Sequence, residues 1–130
     1  MSSESILYIF DSGRESDAAF AALRTAGYEV VSTNSALQAI ALLFLLHPIA
    51  AVVLDHRQPE TTRSDVARSL KAVRPDVPIV LLRHGQCDRL PPSIDACVST
   101  GEPLTKLISE LRRLLTAKPL PSEQRTTLVI

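Results

Sequence analysis

Short, continuous apolar segments alternate with helical patterns along the chain. The segment Ile49–Leu54 contains only apolar residues, which is typical of a central parallel strand covered on both faces. Apolar runs of this kind predict five β-strands, at Ile6–Phe10, Tyr28–Ser32, Ile49–Leu54, Ile79–Leu82 and Ile94–Val98. Apolar residues at helical spacing predict helices that begin at Glu15, at Asn34 or Ser35, at Ser64 and at Pro103.

This alternation predicts the fold class. Strands that alternate with helices pair in parallel through right-handed crossovers, so we expect a doubly wound, five-stranded (βα)5 sheet of the flavodoxin-like type. Leu90-Pro91-Pro92 falls where the fourth helix belongs, and we therefore expect that helix to be short or missing. The predicted domain covers residues 5–116. We expect the tail at 117–130, with Pro119 and Pro121, to be loosely ordered.

Composition narrows the function classes. Basic and acidic residues balance at 14 each among 130 residues, so no strongly basic face for direct nucleic-acid binding is expected. Ala36–Leu46 is almost entirely apolar but too short to cross a bilayer, and Pro48 ends it. We interpret it as a buried or interface helix, and we predict no membrane span.

The cysteines and the polar start indicate a compartment. Residues 1–5 show no basic run leading into an apolar run, so no signal peptide is predicted. Cys87 and Cys97 have neither metal-ligand spacing nor a CxxC pattern. We therefore expect a cytoplasmic protein in which both are reduced thiols.

Polar residues follow the predicted strands at their carboxyl ends, where open α/β sheets bind ligands. Asp11 follows the first strand, Asp55 the third, Arg83 the fourth and Thr100 the fifth. Two carboxylates at adjacent strand ends suit Mg²⁺, and a carboxylate is also a nucleophile towards phosphorus. Either aspartate alone equally suits a turn or a helix cap, but the pair favours a functional site.

From about Ser5 to Leu115 the chain resembles a response-regulator receiver domain. The segment Ala51–Pro59 is similar to that family's apolar strand, its phosphoacceptor aspartate and the following D-x-x-M-P motif, with Gln58 where Met is usual. Ile6–Asp11 resembles the family's strand that ends in an acidic pair. Pro75–Leu82 is similar to the stretch that leads into its fourth strand.

The resemblance implies specific roles. Asp55 would accept a phosphoryl group from a histidine kinase or phosphotransfer protein. Asp11, Asp55 and the backbone carbonyl of Arg57 would bind Mg²⁺. Arg83, His84 and Thr100 would neighbour the phosphoryl group, and the domain would not itself be an enzyme.

The chain also departs from the family pattern. Phe10 replaces the first acidic residue, and Cys97 stands where an aromatic switch residue is usual. Arg83 replaces the Thr or Ser that bonds the phosphoryl group, His84 replaces a small residue, and Thr100 replaces a Lys. Phe10 and Arg83 therefore weaken the expected Mg²⁺ site, and about one positive charge is lost at residue 100.

Arg83 leaves three alternatives open. Its guanidinium could restore the lost positive charge, because it donates two parallel hydrogen bonds to carboxylate or phosphate oxygens. It could equally pair with Asp55 at rest and take the metal's place, or it could point to solvent.

Two functional hypotheses follow. The first is a stand-alone receiver in a phosphorelay, whose output passes through a downstream protein partner or a homodimer. The alternative is a pseudo-receiver that binds proteins without phosphorylation, using the second helix, whose Leu42, Leu43, Leu45 and Leu46 exceed what one core face needs. Simple core packing also explains those leucines. An enzyme on this fold is disfavoured, because no nucleophile–base pair or cofactor loop is present in the sequence.

Overall fold

Five strands and four helices follow one another in the part of the chain that the structure describes, which comprises residues 4–10, 17–44, 48–56, 60–83 and 90–117. In this computed structural model the elements are β1 (Ser5–Phe10), α1 (Asp17–Thr25), β2 (Glu29–Thr33), α2 (Ala36–Phe44), β3 (Ile49–His56), α3 (Glu60–Val73), β4 (Ile79–Arg83), β5 (Ala96–Ser99) and α4 (Leu104–Ala117).

The strands form one all-parallel sheet in the order β2-β1-β3-β4-β5. The predicted doubly wound fold is therefore confirmed. Most strand boundaries shift by one or two residues from the prediction, β5 for example running from Ala96 to Ser99 rather than from Ile94 to Val98. The largest difference is at α3, which begins at Glu60 rather than Ser64. Segment 60–63 carries no apolar periodicity, which is why the apolar pattern missed the first turn of α3.

The core has two layers, one on each face of the sheet. Along β3, Ala51 and Val53 face α1 and α4, whereas Val52 and Leu54 face α2 and α3, and all four are fully buried. We call these the α1/α4 face and the α2/α3 face. Burial on both faces explains the uninterrupted apolar sequence of β3. Each large side chain removed from water contributes about 1.5–3 kcal/mol to the hydrophobic term.

Local sequence signals fix the ends of the helices. Gly27 adopts a φ of 101° after α1, a conformation that favours glycine, and the Tyr28 N–H bonds the Leu23 carbonyl at 3.0 Å to close the helix. Ser35 caps α2, since its Oγ accepts the Gln38 N–H at 3.1 Å. The predicted stop at Gly27 and the predicted cap at residue 34 or 35 are both confirmed.

Between β4 and β5, residues 90–95 form turns and contain no helix, while residues 84–89 lie outside the described ranges. The Ile94 N–H bonds the Pro91 carbonyl at 3.0 Å. Asp95 then pairs twice with Ile79: its N–H donates to the Ile79 carbonyl, and its Oδ2 accepts the Ile79 N–H, both at 2.8 Å. These bonds dock the start of β5 on β4 directly.

None of the four helices in the described ranges has both the length and the apolar character needed to span a membrane. Residues 118–130 lie outside those ranges, so the domain boundary near 116 and the character of the tail stay predictions.

Candidate functional site at the carboxyl edge of the sheet

The strand order reverses between β1 and β3, and Asp55 lies at this switch point. Neighbouring strands to either side of such a point connect to helices on opposite faces, which opens a crevice at the carboxyl edge. Phe10, the last residue of β1, is the parallel partner of Asp55. Asp55 is only 7% exposed, and it is the one acidic residue among the buried residues of the described chain.

The Asp55 carboxylate is held by a tyrosine. The Tyr8 hydroxyl donates a buried hydrogen bond of 2.6 Å to Asp55 Oδ2. Alternation along β3 places Asp55 on the α1/α4 face with Val53, and Tyr8 lies on the same face of β1. Because Tyr8 pairs with Val53, it is the diagonal neighbour of Asp55, a separation that a long aromatic side chain bridges.

The Tyr8 ring is fixed by packing. It is fully buried, and its centroid lies 4.8 Å from that of Phe20 on α1, with the two ring planes at 89°. This edge-to-face arrangement is a favourable geometry for aromatic pairs. The hydroxyl therefore meets Asp55 from a defined direction.

The sequence analysis missed Tyr8, although a signal was present. Tyr8 is the one polar-tipped residue within the aliphatic segment Ile6–Ile9, and a buried tyrosine hydroxyl almost always finds a hydrogen-bond partner. In the structure that partner is Asp55, on the neighbouring strand β3.

Three of the expected site residues lie outside the described residues: Asp11, Arg57 and His84. The expected convergence of Asp11 with Asp55 therefore stays a prediction. The register supports it only as far as Phe10, whose backbone lies directly beside that of Asp55.

Arg83 ends β4 but does not pair with Asp55. It is half-buried, and its register partner on β3 is His56 rather than Asp55. Val80 and Leu82 belong to the α1/α4 face, so alternation assigns Arg83 to the opposite face from Asp55. Both residues are described, and no ion pair joins them. The alternative in which Arg83 neutralises Asp55 at rest is thus not what the structure contains.

Thr100 is exposed and lies beyond β5, two strands away from β3. Two strand spacings amount to about 10 Å, which a threonine side chain does not bridge. Its N–H bonds the Arg83 carbonyl at 2.9 Å. Nearby, Glu102 Oε1 accepts the Ser99 N–H at 2.9 Å, so this part of the edge carries a negative charge.

Cys97 is disulfide-bonded, which contradicts the expectation of a reduced thiol. The other cysteine, Cys87, lies outside the described residues. A disulfide requires only that two Cα atoms approach within about 7 Å, and a sequence spacing without a motif does not exclude this. The bond removes the support that reduced thiols gave to a cytoplasmic localisation.

Asp55 suits one part of a magnesium site. Mg²⁺ prefers hard oxygen ligands and needs only one or two carboxylates, since it keeps several waters. The described residues contain no cluster of three or more His, Cys, Asp or Glu side chains, and Phe10 offers no ligand. Among the described residues Asp55 is therefore the carboxylate that fits such a site, and the other expected ligands, Asp11 and the backbone carbonyl of Arg57, stay predictions.

Solved structures share this fold over most of the chain. A response regulator receiver protein from Sinorhizobium medicae WSM419 is 26% identical, with a TM-score of 0.71, over 89% of this chain and 97% of that one. The response regulator TrrA from Thermotoga maritima, in complex with Mg²⁺-BeF, is 22% identical, with a TM-score of 0.72, over 85% and 98%. TrrA also matches in its complex with the histidine kinase ThkA.

An adenylate cyclase from Rhodopirellula baltica matches at a TM-score of 0.76 over 97% of both chains, but at 14% identity it shows the shared fold alone. No protein-family model matches the sequence, and no curated protein matches it either.

The strand order and the buried aspartate at the end of β3 define a doubly wound α/β domain whose site lies at the switch point. Most of the neighbours are receivers, and the chain is accordingly a divergent receiver domain of the response-regulator type, which belongs to two-component signalling.

Proposed function

We propose that this domain receives a phosphoryl group on Asp55 from a histidine kinase or phosphotransfer protein. The observation that carries the proposal is the position of Asp55: a nearly buried carboxylate at the carboxyl end of β3, at the switch point of the sheet. Receivers that share the fold support it, among them one solved in a complex with a histidine kinase.

The chemistry is a displacement at phosphorus. Asp55 Oδ1 attacks the phosphorus atom, the bond from phosphorus to the donor atom breaks, and the donor leaves with the electron pair of that bond. Oδ2 keeps its hydrogen bond from Tyr8. Mg²⁺, held by Asp55, Asp11 and the Arg57 carbonyl, would supply positive charge for the phosphoryl oxygens, and its presence in TrrA supports this assignment.

We also propose a cytoplasmic location and an output that passes through a partner protein or a second copy of the chain. Histidine-kinase partners favour the cytoplasm. The exposed apolar residues Leu37 and Phe44 of α2 are the candidate contact for such an output.

Intact-mass measurement after incubation with acetyl phosphate and Mg²⁺ tests the proposal. We expect the wild type to gain one phosphoryl group, and Asp55→Asn to gain none because the nucleophilic oxygen is lost. Asp76→Asn, which changes an exposed aspartate in the turn after α3, is the matched control and should label like the wild type. Equal labelling of Asp55→Asn and the wild type would place the phosphoryl group elsewhere and refute the proposal.

A second candidate function is protein binding without phosphorylation, and one observation favours it. Ala39 and Leu43 of α2 are buried, yet Leu37 and Phe44 on the opposite side are 78% and 71% exposed. With Ala41 they follow an i, i+4, i+7 spacing, which forms one apolar stripe on the outer face of α2. Core packing therefore accounts for only one side of this helix.

Phe44→Glu tests the stripe, because a charge there disrupts an apolar contact without entering the core. We expect it to lower the apparent mass by light scattering if the stripe joins two copies. Ser69→Glu, which adds the same charge to an exposed position of α3, should leave the mass unchanged. A wild type that is monomeric at high concentration would remove self-association from the candidates.

A further inference from the structure

We infer that Tyr8 limits the lifetime of phosphorylated Asp55 by stabilising the carboxylate that leaves when the acyl phosphate is hydrolysed. Tyr8 thus acts as a positioning and tuning residue for the phosphoryl group. The inference rests on the proposed function of Asp55. Its structural basis is the buried 2.6 Å bond from the Tyr8 hydroxyl to Asp55 Oδ2.

The hydrogen bond differs in strength between the two states of Asp55. When Asp55 is a carboxylate, its charge is shared by both oxygens, and the bond from Tyr8 is charge-assisted. When Oδ1 carries the phosphoryl group, Oδ2 is a neutral carbonyl oxygen, and the same donor binds it more weakly. Tyr8 consequently favours the unphosphorylated form.

The transition state decides which rate changes. In hydrolysis, water attacks phosphorus, the bond between phosphorus and Asp55 Oδ1 breaks, and the carboxylate leaves while the proton of water passes to phosphate. Phosphoryl transfer has a loose transition state, in which the carboxylate already carries most of its charge. Tyr8 therefore stabilises this transition state more than the acyl phosphate, and it accelerates hydrolysis more than it changes phosphorylation.

Packing keeps the donor in place throughout. Phe20 contacts the Tyr8 ring edge-on, and the ring is fully buried within the α1/α4 face. The ring therefore presents its hydroxyl to Asp55 Oδ2 from a fixed position in the core. The bond is thus built into the core rather than contributed by a mobile surface group.

Tyr8→Phe removes the hydroxyl and keeps the ring. After labelling with acetyl phosphate and Mg²⁺, the donor is removed and the loss of the phosphoryl group is followed by intact mass. We expect the half-life of phospho-Asp55 to rise about fivefold, as the difference between a charged and a neutral acceptor implies. The rate of labelling should change less than the half-life, a split that a general loss of structure would not produce.

Tyr28→Phe is the matched control, because Tyr28 is half-buried directly before β2 and lies beside Arg112, whereas Tyr8 bonds Asp55. Its half-life should equal that of the wild type. A second variant covers the case in which Tyr8→Phe does not fold. The chain has two tyrosines, so 3-fluorotyrosine in a Tyr28→Phe background replaces Tyr8 alone. Fluorine makes the phenol a stronger donor at nearly the same size, and the half-life should shorten.

The outcomes separate this inference from the proposed function. Labelling of Asp55 with equal half-lives in wild type and Tyr8→Phe would overturn the role of Tyr8 and leave Asp55 as the phosphoacceptor. If 3-fluorotyrosine at position 8 leaves the half-life of phospho-Asp55 unchanged, the role of Tyr8 is likewise overturned and Asp55 remains the phosphoacceptor. Labelling that persists in Asp55→Asn would refute the proposed function, and the inference would fall with it.

Discussion

The two halves of the sheet's carboxyl edge differ in what they retain. In the β1/β3 half, Asp55 is nearly buried and bonded to Tyr8 in the core. In the β4/β5 half, Arg83 belongs to the opposite face and Thr100 is exposed about two strand spacings away. The family pattern places charge-neutralising and switching residues in this second half. The difference shows that the aspartate of the family pattern can be kept, buried, in one half of the edge while the residues that the pattern places in the other half are replaced.

The amino ends of β4 and β5, at the opposite edge of the sheet, are nevertheless firmly held. Asp95 Oδ2 accepts both the Ile79 N–H at 2.8 Å and the Lys71 ammonium of α3 at 2.9 Å. Lys71 also donates to the Val77 carbonyl at 3.1 Å. One carboxylate thus ties together α3, β4 and the start of β5, where the described residues provide no helix to cover the connection.

Asp95→Ala is the substitution with the largest expected effect on this comparison. It leaves the Ile79 N–H without its side-chain acceptor and the Lys71 ammonium without its partner, so we expect the free energy of unfolding to fall by about 1–2 kcal/mol. Urea unfolding followed by circular dichroism measures this change. Labelling of Asp55 by acetyl phosphate should persist, because Asp95 lies at the amino edge of the sheet and Asp55 at the carboxyl edge.

Asp95→Asn is the matched control, since its amide oxygen still accepts the Ile79 N–H and only the charge is lost. We expect it to cost about 0.5 kcal/mol, as partly exposed ion pairs contribute little. Loss of Asp55 labelling in Asp95→Ala, under conditions where the protein remains folded, would contradict the independence of the carboxyl-edge site from the amino edge of β4 and β5.

The fold could be predicted because buried residues recur along each strand and helix at a regular spacing. Ile49–Leu54 is apolar at every position because both of its faces are covered. Gly27 ends α1 because glycine adopts a positive φ at little cost, whereas other residues are strained there. Pro91 and Pro92 likewise predicted that the helix between β4 and β5 would be short or missing. Such signals are local, and each was confirmed as far as the described residues extend.

The site was harder to predict because its contacts join residues far apart in the chain. The Tyr8–Asp55 bond joins neighbouring strands, and it depends on the register between β1 and β3, which apolar patterns do not determine. The choice among the three alternatives for Arg83 depended on whether β4 presents it on the same face as Asp55. The disulfide at Cys97 depends on a distance in space, on which the local sequence around the cysteines carries no information.

Thr100→Lys sharpens the comparison by returning a positive charge to the β4/β5 half. β5 and β3 are separated by about 10 Å, and a lysine side chain is long enough to span much of that distance. It would bring its ammonium towards the phosphoryl oxygens. We expect the phosphorylated fraction at a fixed acetyl phosphate concentration to rise about fivefold, which corresponds to about 1 kcal/mol for a partly exposed charge interaction. Intact mass measures the fraction.

The control for this prediction is Thr100→Met, which adds length without charge and should label like the wild type. The gain from Thr100→Lys should also shrink as salt is raised, because screening weakens an exposed charge more than a buried hydrogen bond. An unchanged phosphorylated fraction in Thr100→Lys would mean that Glu102, which bonds the Ser99 N–H beside it, captures the new ammonium first. The positive charge that the family pattern places in this half would then be opposed by the local charge of the edge as well as missing at residue 100.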